Sequence, residues 1–164
     1  MSNTPKDTAP SFGVTPLSVV ATMSGLDYLQ KMFSGELPGA PMMQQVGFIR
    51  GTAEHGLVNF YARPTLQHYN PVGSVHGGFT ATLLDSAMGC AVQSTLAQGL
   101  IYTTLEFKVN LIRAITEATG EVRAEGRVLQ AGRRVGIAEG RLLDSDDRLL
   151  AHATTTCLIF PVPD

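Results

Sequence analysis

One carboxylate dominates the chemistry this sequence can offer. Between Pro64 and Leu105 the only Asp, Glu, Lys or Arg is Asp85, and it lies in the middle of an apolar stretch. A charge there is costly unless hydrogen bonds or a binding site compensate it. Asp85 is therefore either a structural carboxylate bonded to a backbone amide or hydroxyl, or a functional one. The segment ahead of it reads Asn70-Pro71-Val72-Gly73-Ser74-Val75-His76-Gly77-Gly78. Two glycines at the start of a helix let a ligand approach the backbone closely. Free N–H groups there, with the helix dipole behind them, suit a developing oxyanion. The same pair could equally serve only as a tight entry turn. Asp85 follows Gly77 by eight residues, roughly 12 Å along a helix axis. One chain cannot easily bring both groups to one carbonyl, whereas a neighbouring copy's Asp85 can face Gly77. This is a geometric reason to expect a site shared across a dimer.

The elements that must position these groups follow from periodicity and punctuation. Ser24 can cap a short helix from about Gly25 to Phe33 that Gly35 ends. Pro38-Gly39-Ala40-Pro41 reads as an extended connector. Val46, Phe48 and Ile49 start a strand, His55-Gly56 marks a turn, and Leu57 to Ala62 is a second strand. Gly78 to Leu96 is the one long helix. Its apolar residues spread over most of its circumference, which is the mark of a buried helix. Leu105, Phe107, Val109 and Leu111 then alternate with polar residues, as do Val122, Ala124, Gly126 and Val128. A hairpin turn at Gln130-Ala131-Gly132-Arg133 leads to a strand from Arg134 to Leu143. A turn at Asp144 to Asp147 leads to a last strand from Leu149 to Phe160. Consecutive strands joined by tight turns pair antiparallel, and one buried helix against such a sheet makes an α+β domain.

Length and composition agree with this and exclude other classes. The 164 residues fit one domain with a sizeable core. Twelve basic and fourteen acidic residues give a net charge of −2, which argues against nucleic-acid binding driven by basicity. Hydrophobic residues reach an ordinary 44%, but charged residues only 16%, against about 25% in typical domains. Part of the surface is thus expected to be covered by a further subunit. Cys90 and Cys157 form neither a disulfide framework nor a zinc site and read as small buried apolar residues. No apolar run is long enough to span a membrane, and the first ten residues lack the pattern of a secretory signal. The expectation is a soluble, cytoplasmic protein. Residues 1–16, with Pro5, Pro10 and Pro16, read as a flexible arm that can dock at its far end.

The spacing Asn-x5-His-Gly-Gly-x6-Asp from Asn70 to Asp85, with this order of strands, resembles the PaaI-type acyl-CoA thioesterases of the hotdog fold, which include 4-hydroxybenzoyl-CoA thioesterase-like enzymes. The resemblance covers roughly residues 42–160. It implies a hotdog thioesterase domain over 42–164, with a long antiparallel sheet wrapped around one helix. Residues 1–41 are then an N-terminal arm and helical extension. It also implies a homodimer, often paired again into a homotetramer, with active sites between subunits. Carried onto this chain, Asp85 is the catalytic carboxylate, acting as general base or nucleophile. The Gly77 N–H polarises the thioester carbonyl, and Asn70 orients the nucleophile or water from the opposite subunit. His76 fixes the loop or touches the thioester region. Thr103 matches a position near the attacking water, with Thr104 beside it as the competing choice.

The resemblance makes an acyl-CoA the substrate, with no metal and no cofactor beyond coenzyme A itself. The phosphates of coenzyme A call for cations. Arg113 ends one strand, and Arg133 and Arg134 follow a turn where related enzymes meet the nucleotide. Asn110 to Ile115 and Gln130 to Val135 are the segments expected to bind it, with Gly78, Thr104, Asn110, Gln130 and Gly132 as further contacts. Each arginine taken singly reads equally well as a solvated turn residue. Phe79, Met88 and the Gly25–Phe33 helix are candidates for the acyl pocket, though such residues are more often plain core. Tyr69 and Tyr102 could meet an aromatic acyl group. A medium-chain or aromatic acyl group is expected. Two alternatives remain at this level. A hydratase or dehydratase of acyl thioesters would use a His and an acid in a different motif. A non-catalytic acyl-CoA-binding sensor would need an output module that residues 1–40 do not supply.

Overall fold

Residues that alternate between apolar and polar build a single six-stranded sheet. In the computed structural model, which describes residues 11–163, the strands are β1 (Phe48–Glu54), β2 (Leu57–Ala62), β3 (Leu100–Leu111), β4 (Val122–Ala131), β5 (Val135–Leu143) and β6 (Leu149–Pro161). All neighbours pair antiparallel in the order β1-β2-β4-β5-β6-β3. Val122 and Ala124 of β4, Ala138 of β5 and Ala151 and Ala153 of β6 point inward and are inaccessible to solvent. The long helix α4 (Gly77–Gln93) lies across this inner face. Its Leu83, Leu84, Met88 and Val92 are buried to 1% exposure or less, each worth about 1.5–3 kcal/mol of transfer free energy. This is the hotdog arrangement and the α+β class expected from the sequence.

Bare backbone lets the helix sit close. A Cβ on Gly126 of β4 would lie 2.1 Å from the carbonyl oxygen of Ala87. Any side chain at that position would therefore lift α4 off the sheet.

Three short helices precede the sheet: α1 (Leu17–Val20), α2 (Gly25–Ser34) and α3 (Pro41–Gln45). Ser24 caps α2 by accepting from the Asp27 N–H, and Gly35 ends it at φ 82°, as the sequence suggests. The far end of the expected arm is docked: Phe12 bridges Gly39, with Gly13 N–H donating to Gly39 O and Gly39 N–H to Ser11 O, both at 2.9 Å. The expected arm's remaining residues, 1–10, lie outside the described residues. The connector is extended only as far as Ala40, because Pro41 takes the first turn of α3, where its missing N–H costs nothing. α2 is tied across the end of α4. Gly25 N–H donates to Leu96 O at 3.0 Å, and a Cβ on Gly25 would lie 1.8 Å from the Gln93 carbonyl oxygen. Its other end is held by Phe33, whose ring meets Phe60 edge-on at 5.3 Å.

The sheet ends at β3, which has one free edge. Phe107 pairs with the buried Thr155 and so belongs to the inner face, yet it is 41% exposed. Leu105, Leu111 and Ile112 beside it are also exposed. A β-bulge interrupts β3 between Thr104 and Glu106.

Candidate active site

Asp85 is half-buried, two turns into α4. Its Oδ1 accepts a hydrogen bond of 2.9 Å from the Thr104 hydroxyl. The structure thus exchanges the roles expected of the two threonines. Thr104 pairs with the buried Cys157 on the inner face, whereas Thr103 pairs with Leu158 on the outer face and is exposed, although it too borders the cavity described next.

That cavity, of about 600 Å³, opens beside Asp85 and Thr104, within the size range of small-molecule sites. One wall is the face of α4 carrying Asp85, Ser86, Cys90 and Gln93, a spacing of one helical stripe. The opposite wall is largely apolar and comes from the N-terminal segment, including Val20, Leu29, Met32 and Met43, with Thr15 as its polar member. Tyr102 closes one side, its ring packed so tightly on Gly89 that a Cβ there would lie 2.4 Å from the hydroxyl. Burial pushes the Cys90 thiol up to about 12 and raises the Tyr102 hydroxyl well above its ordinary range. Both stay protonated near neutral pH, so neither is a nucleophile there.

The acyl-pocket candidates divide accordingly. The α2 helix and Tyr102 line the cavity, through Tyr28, Leu29 and Met32 in the helix. Phe79 and Met88 do not; they are core residues, 6% and 0% exposed. Tyr69 is elsewhere, its hydroxyl accepting from the Glu117 N–H at 2.8 Å. The contributions of Ser86, Cys90, Gln93 and residues 13–20 are absent from the sequence reading. For the first three, helical spacing from Asp85 was the available signal. For the last there was none, because contact with α4 crosses some seventy residues of chain.

The Gly77 end of α4 forms a second, smaller cavity of about 240 Å³, bordered by Asn70, Ser74, Thr80 and Leu111 to Ile115. His76 is the N-cap: its Nδ1 accepts from Gly78 N–H at 2.8 Å, so that amide is occupied. Gly77 N–H has no hydrogen bond among the described residues. Asn70 spends its side chain on the loop. Its Oδ1 accepts from Val72 N–H and Ser74 N–H at 3.0 and 3.4 Å, and its Nδ2 donates to the Ser74 hydroxyl at 3.0 Å. Within one chain, then, Asp85 and Thr104 border one cavity while Gly77 and Asn70 border another.

The candidate coenzyme A residues fall at both ends of α4. Arg113 borders the Gly77 cavity and donates to the Leu149 carbonyl. Arg133 and Arg134 are exposed in the turn after β4, with Gln130 and Gly132 exposed beside them. That hairpin lies near the other end of the helix, since Gly136 packs on Val92. Asn110 pairs with His152 on the outer face and borders neither cavity. No helix among the described residues is long and apolar enough to cross a membrane.

Comparison with known proteins places this architecture. The family model of the Thioesterase superfamily matches residues 72–151, the span from the loop after Asn70 to the start of β6. A candidate esterase of Halobacterium salinarum is 33% identical over 96 residues, covering 57% of this chain; the chain spans 62% of that relative's length. A conserved protein of Pseudomonas aeruginosa, of known structure, is 31% identical with a TM-score of 0.69, covering 74% of this chain and 95% of its own. A candidate thioesterase of Ralstonia eutropha, described as phenylacetic acid degradation-related, is 30% identical with a TM-score of 0.72, over 80% of this chain and 98% of its own.

Proposed function

The chain belongs to the thioesterase superfamily, and on that premise we propose that it is a PaaI-type enzyme hydrolysing an acyl-CoA to the free acid and coenzyme A. One observation carries the reading. Thr104 holds one oxygen of a half-buried carboxylate in the wall of a largely apolar cavity, while the other oxygen has no hydrogen bond among the described residues. A carboxylate so held is oriented, and its free oxygen can take a proton from water.

The active unit is a homodimer, alone or paired into a tetramer, in which Asp85 of one chain faces Gly77 of the partner subunit. The exposed apolar edge of β3, with Phe107 and Leu111, supports such a contact. Water attacks the thioester carbonyl carbon as Asp85 takes its proton. The oxyanion forms against the N–H of Gly77. The intermediate collapses by breaking the C–S bond, and the thiolate leaves with the proton that Asp85 returns. Asn70, already committed to its own turn, shapes the loop that presents Gly77. His76 caps the helix and occupies the Gly78 amide, leaving Gly77 as the free donor. Arg113, Arg133 and Arg134 provide charge for the phosphates.

The test is release of coenzyme A, read with a thiol reagent, over a panel of straight-chain and aromatic acyl-CoAs. Asp85→Asn keeps the shape and removes the base, and should lower turnover at least ~100-fold. A variant turning over at close to the wild-type rate would refute the assignment of Asp85.

A further inference from the structure

The main cavity has an amphipathic design that a plain hydrocarbon would not use. Its roof is largely apolar: Val20, Leu29, Met32 and Met43, with the buried Thr15 hydroxyl among them, come from residues 13–45, outside the residues that the superfamily's model matches. Its floor is the α4 stripe Ser86, Cys90 and Gln93. Gln93 stands out. It is 5% exposed, it borders the cavity, and no hydrogen bond joins its amide to another described residue. Its amide atoms keep contact with accessible space, unlike the fully sealed Thr15 hydroxyl, so an oxygen bound in the cavity can replace water on them. Its backbone is held in place, because Gly25 packs on its carbonyl, and its side chain puts a polar group at one end of a largely apolar space.

Position gives the length of what would reach it. Gln93 is eight residues beyond Asp85 on the same helix, roughly 12 Å along the axis. An extended chain covers about 3.6 Å in three bonds, so an acyl group whose carbonyl is beside Asp85 meets Gln93 after about ten bonds. We propose that this cavity selects a medium-length acyl chain bearing a hydroxyl or keto oxygen at its far end, which the Gln93 amide hydrogen-bonds. The inference rests on the acyl-CoA reading of the site and adds to it the class of acyl group and a specificity-determining residue. The N-terminal segment, by supplying the roof, holds the chain against the polar floor. A site built to hydrogen-bond a substrate oxygen discriminates against the analogue lacking it, because the protein's own polar group is then left unpaired.

Two readouts test this. In the first, kcat/KM is compared for decanoyl-CoA and ω-hydroxydecanoyl-CoA with wild type and with Gln93→Leu. Wild type should favour the hydroxylated ester at least ~10-fold, and the variant should reverse that preference. In the second, calorimetry measures binding of decanoate and ω-hydroxydecanoate to the wild-type protein, which needs neither turnover nor a variant. The hydroxy acid should bind at least ~10-fold more tightly. Equal or tighter binding of the unsubstituted acid would overturn the proposal, as would turnover that ignores both the hydroxyl and Gln93. Absence of coenzyme A release from every ester would instead overturn the hydrolase reading, and the binding preference would still decide the role of Gln93.

Discussion

The amide of Gly77 can be deleted without otherwise disturbing the helix, which makes its proposed role unusually open to test. Gly77 is the first residue of α4, the position where proline is best tolerated, since the N–H there has no partner within the helix. The residue before a proline must be extended, and His76 already is, at φ −62° and ψ 138°. Gly77→Pro thus removes the N–H and leaves the backbone path intact. The new Cβ would lie 2.9 Å from a terminal methyl of Leu111, the far end of a flexible side chain that a small rotation displaces. Gly77→Ala introduces the same Cβ and keeps the amide, so it isolates the steric effect. Loss of one oxyanion donor costs about 2.7–4 kcal/mol of transition-state stabilisation, roughly 10²–10³ in kcat. The assay is kcat from coenzyme A release for wild type and both variants, with urea midpoints to show that all three are folded. Gly77→Pro should fall 10²–10³-fold below Gly77→Ala, by the same estimate. If the two variants agree within about threefold, the N–H is not the oxyanion donor, since that gap is far below the expected loss. Mixing extends the test to the dimer. A Gly77→Pro chain paired with an Asp85→Asn chain has one intact site in two. Random reassortment of two inactive proteins should restore roughly a quarter of wild-type activity, given the two-fold symmetry of such a dimer. No recovery after confirmed subunit exchange would place Asp85 and Gly77 in separate sites.

Two further outcomes follow from the structure. Thr104→Val removes the hydrogen bond to Asp85 and should lower kcat about 10–100-fold, the range for a bond to a charged group, while Thr103→Val should leave it nearly unchanged; the opposite ranking in the same assay would refute the geometry. The second concerns pH. The Cys90 thiol is held neutral by burial, its pKa raised from 9.0 to about 12. Above pH 9 the unfolded chain releases this proton and the folded one keeps it, so stability must fall as pH rises from 9 toward 12. Urea midpoints between pH 8 and 11 should show that decline, and Cys90→Ala should make it shallower without abolishing it, because Tyr102 shifts in the same direction. An unchanged slope in the variant would mean that the thiol is not held neutral in the folded protein.

How far the sequence could be read depended on the range of the interactions involved. The α4 helix and β4, β5 and β6 were legible because each carries its own periodicity, and the turns at His55-Gly56 and Asp144 to Asp147 carry local punctuation. Asp85 was legible for a different reason: a solitary charge in a buried helix has to be compensated. Residues 11–45 were harder. Their α2 helix has a capping serine and a terminal glycine, but α1 has no side-chain cap. What makes this segment the roof of a cavity is its docking on α4 through Gly25 and on the sheet through Phe33. Those contacts depend on glycines at Gly25 and Gly51, where the absence of a side chain becomes meaningful only once the partner is in place.

Thr104 shows the same limit within a single strand. Leu105, Phe107, Val109 and Leu111 alternate faultlessly, and extending that alternation backward puts Thr103, not Thr104, on the inner face. The register with β6 breaks this logic. Phe107 opposes Thr155 and Thr104 opposes Cys157, so three steps on β3 match two on β6. Leu105 is the extra residue, and its side chain is 58% exposed. A bulge shifts which residues face inward on one side of it relative to the other, and an apolar residue in the bulge hides the shift from any pattern of hydrophobicity. The consequence is chemical. Without the inserted residue, Thr103 and the inner face would coincide and Thr104 would point away from Asp85. With it, Tyr102 and Thr104 both turn toward α4, one packing against Gly89 and the other holding the carboxylate. The irregularity in β3 is therefore part of what positions the site, and it can be recognised only by reading each strand against its neighbour.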